Sequence, residues 1–152
     1  MKWLASIGLS GTVLALFAAV TSVAIGWTYL GTKVQIDFEV RRAEARQLLE
    51  IFPADTHDNE VVDDTFAVEA DTALLGIREA RQGYRVRQGG VVVGVILPAT
   101  ARDGYSGDIR ALVGIRRDGT VAGVRVVSHR ETPGLGDKVD LRKSDWVLGF
   151  NH

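Results

Sequence analysis

The chain opens on one long apolar run and then changes period twice. From Trp3 to Leu30 the stretch WLASIGLSGTVLALFAAVTSVAIGWTYL carries no charge. Wound as a helix it is roughly 42 Å long against a hydrocarbon core of about 30 Å, so it can span a bilayer with some tilt. Trp3, Trp27 and Tyr29 fall at its two ends, where amphipathic rings favour the membrane interface. A cleaved signal peptide is the other reading, because Ser22-Val23-Ala24 offers small residues at a suitable spacing, although the apolar run continues past them. Lys2 lies on one side of the run, and Lys33, Arg41, Arg42 and Arg46 lie on the other. Charge leaves the orientation open, since a long following domain can cross despite its charges.

From Lys33 to Phe52 the apolar residues Val34, Phe38, Ala45, Leu48, Leu49 and Phe52 recur at three-to-four spacing, which predicts a helical stalk ended by Pro53. Its charges, Arg42, Glu44, Arg46 and Glu50, read as a solvated face. After Thr72 the period falls to two. Tyr84 and Val86 alternate with Arg85 and Arg87, Gly89-Gly90 makes a turn, and VVVGVIL from Val91 to Leu97 is an apolar run of buried-strand length. Pro98 to Gly107 is expected to interrupt the strands. Ile109, Ala111, Val113 and Ile115 then share a face, Asp118-Gly119 turns the chain, and Val124 and Val126 continue beyond it. The fold class expected is α+β: a transmembrane helix and helical stalk, then a twisted antiparallel sheet of at least four strands packed with short helices. The divisions expected are an anchor at 1–32, a stalk at 33–53 and one domain at 54–152.

Composition narrows the chemistry. A formal net charge of −1 on 152 residues gives no electrostatic footprint for nucleic acid. Without cysteine there is no disulfide, thiolate zinc site or iron–sulfur ligand. His57, His129 and His152 are scattered, so no metal site is expected. DTHDNEVVDD, from Asp55 to Asp64, resembles a calcium loop only in its acids; it lacks the alternation and terminal glutamate of an EF-hand and reads as an acidic surface loop. A hydrolase has no support, there being no Gly-x-Ser-x-Gly and no convincing pair of carboxylates.

The stretch ETPGLGDKV, Glu131 to Val139, follows the last strand and precedes DKVDLRKSDWVLGF, where Val139, Trp146 and Phe150 suggest an apolar helical stripe. Gly134 and Gly136 permit unusual dihedrals and close approach to a ligand, and N–H groups at the start of a helix there would favour an anion. Glu131 and Thr132 can direct hydrogen bonds, while Leu135 can cover an apolar ring. On composition alone the corner can equally serve just to turn the chain. His129 beside Arg130 invites a proton-relay role, against which stands an ordinary structural histidine at a strand end.

GYSGDIRALVGI (104–115), the Asp-Gly hairpin after it, SHRETPGLGDKV (128–139) and KSDWVLGF (143–150) together resemble the flavin mononucleotide (FMN)-binding domain of the G subunit of the Rnf electron transport complex. The N-terminal span, the stalk and HDN at 57–59 are similar too, so the resemblance covers nearly the whole chain, with ETPGLG its most specific part. The C subunit of the sodium-translocating NADH:quinone reductase shares the flavin domain and is the alternative relative. The resemblance implies a single-span protein of a bacterial inner membrane with its flavin domain in the periplasm. It implies electron relay through FMN, with other Rnf subunits as partners and no independent substrate chemistry. It also implies that Glu131, Thr132, Leu135 and Gly136 line the flavin. Gly134, Lys138, Tyr105 and Ser106 are further candidates. In the family the FMN phosphate is esterified to a threonine of a Ser/Thr-Gly-Ala-Thr type motif beyond the segment matching KSDWVLGF. That motif is not in this sequence, Ser10-Gly11-Thr12 being a superficial match inside the apolar run, so no residue here inherits the attachment and a C-terminally truncated domain is expected. A non-redox assembly module with the same fold is the rival reading.

Overall fold

The computed structural model describes residues 2–151, with side chains from Gly11 onward; the side chains of Lys2, Trp3 and Ser10, and the whole of His152, lie outside the described residues. The elements run α1 (Lys2–Ile51), β1 (Thr65–Val68), β2 (Arg81–Gln88), β3 (Val91–Ala101), β4 (Ile109–Arg116) and β5 (Val121–Ser128), with short 3-10 turns at Ala54–Thr56, Asp137–Val139 and Asp145–Phe150. The chain divides into two compact units, residues 1–42 and 43–152.

The first unit is helical, long and apolar enough to cross a membrane, and its large side chains, among them Phe17, Trp27 and Leu30, are exposed. Three of its hydroxyls satisfy themselves locally. Thr21, Thr28 and Thr32 each donate a hydroxyl hydrogen to the carbonyl four residues back, at 2.5, 2.8 and 2.8 Å. Such back-bonding spares these hydroxyls from facing lipid unpaired.

The second unit begins with the last turns of α1. Leu48, Ile51 and Phe52 are buried with Val61, Tyr84, Val86, Ile96 and Leu112 in one core. Pro53 stops the helix as expected. Five antiparallel strands follow in the order β1-β2-β3-β4-β5, each paired with its sequence neighbour. Gly89 and Gly90, with φ of 58° and 77°, supply the left-handed pair that a tight hairpin between β2 and β3 demands. The register sets Tyr84, Ile96 and Gly114 in one cross-strand row facing the helix end. Glycine there lets the helix close on the sheet: a Cβ on Gly94 would lie 2.5 Å from Phe52 Cζ, and one on Gly114 would run into Ile51 Cγ2.

Several expectations change. Glu44 and Glu50 are not simply solvated. Glu44 accepts the Tyr84 hydroxyl, and burial first, then this carboxylate, pushes the phenol pKa up. The buried Arg125 guanidinium donates to the Glu50 carboxylate at 3.0 Å, to the Glu50 carbonyl at 2.7 Å and to the Val124 carbonyl at 2.7 Å. Pro98 does not interrupt β3, which runs to Ala101. The β2 register reaches only Ile96 on β3, so Pro98 meets β4 alone and has no ladder bond to lose on its other edge. β1 is an additional short strand. The acidic segment is a brace: Asn59 accepts the Arg87 N–H at 2.8 Å and donates to the Arg85 carbonyl at 3.0 Å, beside the register shift between Val86 and Arg87. Asp58 accepts the Gly89 N–H at 2.6 Å. Asp64 pairs with Arg87 at 2.6 Å and Arg85 at 3.3 Å, and its pKa is lowered chiefly by the Arg87 hydrogen bond.

Candidate functional site

β5 ends at Ser128, and the chain turns through the corner singled out in the sequence. His129 Nδ1 accepts the Glu131 N–H at 3.2 Å, so this nitrogen carries no proton in that arrangement. Glu131 is 8 % exposed, and its Oε1 accepts the Ser106 N–H at 3.0 Å, latching the β3–β4 loop to the corner. The N–H groups of Leu135 and Gly136 both donate to the Thr132 carbonyl, at 3.1 Å each. Gly134, at φ 80°, closes the turn, and its N–H donates to Asp137 Oδ1 at 2.9 Å.

Tyr105, Glu131, Thr132, Leu135 and Gly136 line a recess of about 330 Å³. Two apolar surfaces flank it, since Tyr105 is 95 % and Leu135 78 % exposed. A planar apolar ring with a polar edge fits such a recess: side chains offer faces, Glu131 and Thr132 offer oxygens, and Gly136 adds no bulk. The size sits at the lower end of ordinary small-molecule sites. Ser106 takes part through its backbone, Gly134 through the turn, and Lys138 is an exposed cation outside the recess.

The expected anion site at a helix start is not what the corner builds. The segment after Gly136 is a single 3-10 turn, Asp137–Val139, and the turn's own acceptors, the Thr132 carbonyl and the buried Asp137, take the N–H groups of Leu135, Gly136 and Gly134. Nor is there one apolar helix beyond it. Asp145–Phe150 is a 3-10 stretch capped by Ser144, whose hydroxyl accepts the Trp146 N–H at 3.2 Å. Val147 is its buried residue, while Trp146 and Phe150 are exposed and pack edge to face at 5.2 Å. The 3-10 period of three puts the buried position between the two aromatics that a 3.6 period would have aligned.

A larger polar groove of about 730 Å³, lined in part by Arg46, Glu50, Arg125, His129, Asp140 and Arg142, lies elsewhere in the same unit. Sequence reasoning did not single it out. Its charges answer one another, Arg125 with Glu50 and Arg142 with Asp140, which leaves it a poor home for an apolar ring. The Arg142 hydrogen bond lowers the Asp140 pKa to about 2, with His129 Nε2 at 4.0 Å. A carboxyl depressed in the folded state stabilises it fully above the unfolded pKa of about 3.9 and progressively less below. Removing this pair with Asp140→Asn is therefore expected to flatten the decline of stability between about pH 4 and pH 2. The effect will be modest because Arg142 is 86 % exposed. Denaturant midpoints of the two proteins across that range are the check, and parallel curves would remove the assigned role.

Residues 104–151 of the chain match the family described as FMN-binding domain, and residues 1–51 match the RnfG N-terminal region. The G subunit of the ion-translocating oxidoreductase complex of Pseudoalteromonas atlantica is 46 % identical over 143 residues, covering 94 % of this chain and 66 % of that protein. The protein of the same name from Vibrio cholerae is 40 % identical over 148 residues, covering 97 % of this chain and 70 % of its own. That of Pseudomonas aeruginosa is 44 % identical over 142 residues, covering 91 % and 64 %. The chain spans about two thirds of the length of these curated relatives. It belongs to the family of the G subunits of ion-translocating oxidoreductase complexes.

Proposed function

We propose that this chain is the electron-transfer subunit of a membrane ion-translocating ferredoxin:NAD oxidoreductase, the Rnf complex, and that it carries electrons through FMN. The observation that carries the reading is a coincidence at one corner. Within the stretch similar to FMN-binding domains, five residues nominated from sequence, Tyr105, Glu131, Thr132, Leu135 and Gly136, come together around one recess. FMN supplies one- and two-electron redox chemistry when bound. Leu135 and Tyr105 would cover a ring bound there, and Thr132 would give it a polar partner. Glu131 would offer its carboxyl oxygens to the bound ring, which supplies the redox chemistry. Gly136 keeps the approach open, Gly134 and the Ser106 amide hold the corner in shape, and Lys138 is a cation available to the phosphate. No residue of this sequence is assigned the covalent attachment.

The chain is membrane-anchored, with one helix fit to span. Its divisions are an anchor at 1–32, a stalk at 33–53 whose last turns enter the domain core, and the flavin domain at 54–152. The anchor lies in the bacterial inner membrane, the flavin domain lies in the periplasm, and the other subunits of the complex are the partners. The test is to purify the native protein from membranes and record its absorbance before and after dithionite. A flavin band that travels with the protein and bleaches on reduction is expected; a folded protein devoid of flavin rejects the carrier and leaves the non-redox assembly module. Protease added to spheroplasts should degrade the domain while cytoplasmic markers survive, and a protected domain would reject the periplasmic placement.

A further inference from the structure

Two hydrogen bonds fix Glu131 in the lining of the recess, and they differ in chemistry. Its carboxylate accepts the Ser106 N–H at 3.0 Å, from a donor that keeps its proton at every ordinary pH. Its own N–H donates to His129 Nδ1 at 3.2 Å, and that acceptor exists only in the neutral ring. A side chain that accepts the N–H two residues ahead closes the kind of turn that asparagine and aspartate make. An imidazole in their place makes the turn titratable. Glu131 is buried and has little room to give: a Cβ on Gly104 would lie 2.9 Å from its Oε1, and one on Gly136 would lie 2.5 Å from its Oε2. A shift of its backbone is therefore passed on to the recess, which Glu131 and Gly136 both line.

We propose that His129 is the positioning residue of this corner: its neutral ring holds Glu131 in place, and gaining a proton releases the Glu131 N–H and loosens the recess. In the imidazolium both ring nitrogens are donors, so a proton on Nδ1 would face the Glu131 N–H and leave a buried amide without its acceptor. Charged groups bear on the ring from three elements. Arg46 and Glu50 of α1, Arg125 of β5, and Asp140 and Arg142 from the segment after the 3-10 turn line one groove with it, while Arg130 and Glu131 are its chain neighbours. Asp140 comes to 4.0 Å from Nε2 and favours the imidazolium, as does Glu50. The three groove arginines oppose it, and two of them are already paired, Arg125 with Glu50 and Arg142 with Asp140. Asp140 keeps its charge throughout the range in which an imidazole titrates, because the Arg142 hydrogen bond lowers its pKa to about 2. Release of the amide stands on these contacts alone; its effect on a flavin rests on the reading of the recess as the FMN seat.

Hydrogen exchange at the Glu131 amide, read by mass spectrometry on the full chain purified from membranes with its flavin, tests this. His129→Asn keeps an acceptor beside the backbone but cannot titrate, and His129→Leu removes the acceptor altogether. Dividing the exchange rate of the parent by that of His129→Asn at each pH cancels the intrinsic pH dependence of exchange. The ratio should be near one at about pH 8 and rise to about fivefold or more by about pH 5, the interval in which an imidazole changes charge. His129→Leu should exchange fast at both ends. A flat ratio overturns the proposal, whether neither protein loosens or both do so through a carboxylate. Protection retained in a folded His129→Leu also overturns it; should that variant not fold, the ratio decides alone. The visible circular dichroism of the bound flavin should follow the same pH profile in the parent and stay constant in His129→Asn. Amide release in acid that the flavin signal does not follow upholds the role of His129 and counts instead against the recess as the flavin seat.

Discussion

Phe52→Ala is expected to cost the domain about 3–5 kcal/mol of stability, the range for removing a large buried aromatic side chain. Phe52 is buried in the core where α1 ends, and its ring also lies close over two glycines: a Cβ on Gly94 would meet its Cζ and Cε1, and one on Gly114 its Cε2. The glycines have no side chain that could relax into the space, so the cavity stays open and the cost falls toward the upper part of the range. Denaturant unfolding followed by near-ultraviolet circular dichroism measures it. A loss below about 1 kcal/mol would mean that the helix end contributes little to the core. The geometry also fixes the sign of a second change. Gly94→Ala should be destabilising alone, because its Cβ would stand 2.5 Å from Phe52 Cζ, and should cost less when Phe52→Ala is already present, the remaining close contact being the Ile115 carbonyl oxygen at 3.0 Å. Additive losses in that cycle would place the strain elsewhere.

Gly136→Val is expected to lower flavin occupancy by about tenfold or more while leaving the fold intact. The backbone at Gly136, φ −96° and ψ −12°, is one that other residues adopt, so the objection is contact and not dihedral strain. A Cβ there would lie 2.5 Å from Glu131 Oε2 and 2.9 Å from Glu131 Cβ. The glutamate cannot readily swing aside, since its other oxygen holds the Ser106 N–H and the residue is buried. The valine therefore pushes Glu131 across the recess or opens the latch between the two loops, and either outcome spoils the seat for a ring. The ratio of flavin absorbance to protein in variant and parent gives the answer, with circular dichroism as the check on folding. Full occupancy in a folded variant would remove the corner from the binding site.

Features carried by local chemistry were legible in the sequence. The apolar run, Pro53, Gly89-Gly90 and Asp118-Gly119 each act within a few residues, and all stand where their patterns put them. At Glu131 the turn was legible from Pro133 and Gly134, while composition left it open between a ligand seat and a plain turn, and it is the resemblance that nominates it as a seat. What escaped were long-range pairings. Glu44 meets Tyr84 across 40 positions and Glu50 meets Arg125 across 75, and no periodicity in the stalk distinguishes an acid facing solvent from one facing a strand not yet made. β1 is only four residues, Thr65–Val68, too short for alternation to assert itself. The Asp145–Phe150 segment misled because apolar residues four apart suit an α-helix, while the Ser144 cap and the 3-10 turns bury Val147 between them.

The consecutive order of the five strands bears on how the domain is made. Each strand hydrogen-bonds to the one synthesised just before it, so no early strand must wait for a distant partner, and the loop-closure entropy of each step is small. A chain emerging in sequence order can therefore add strands one at a time, with the end of α1 already present as the surface on which they gather. Such a sheet assembles at the pace of delivery.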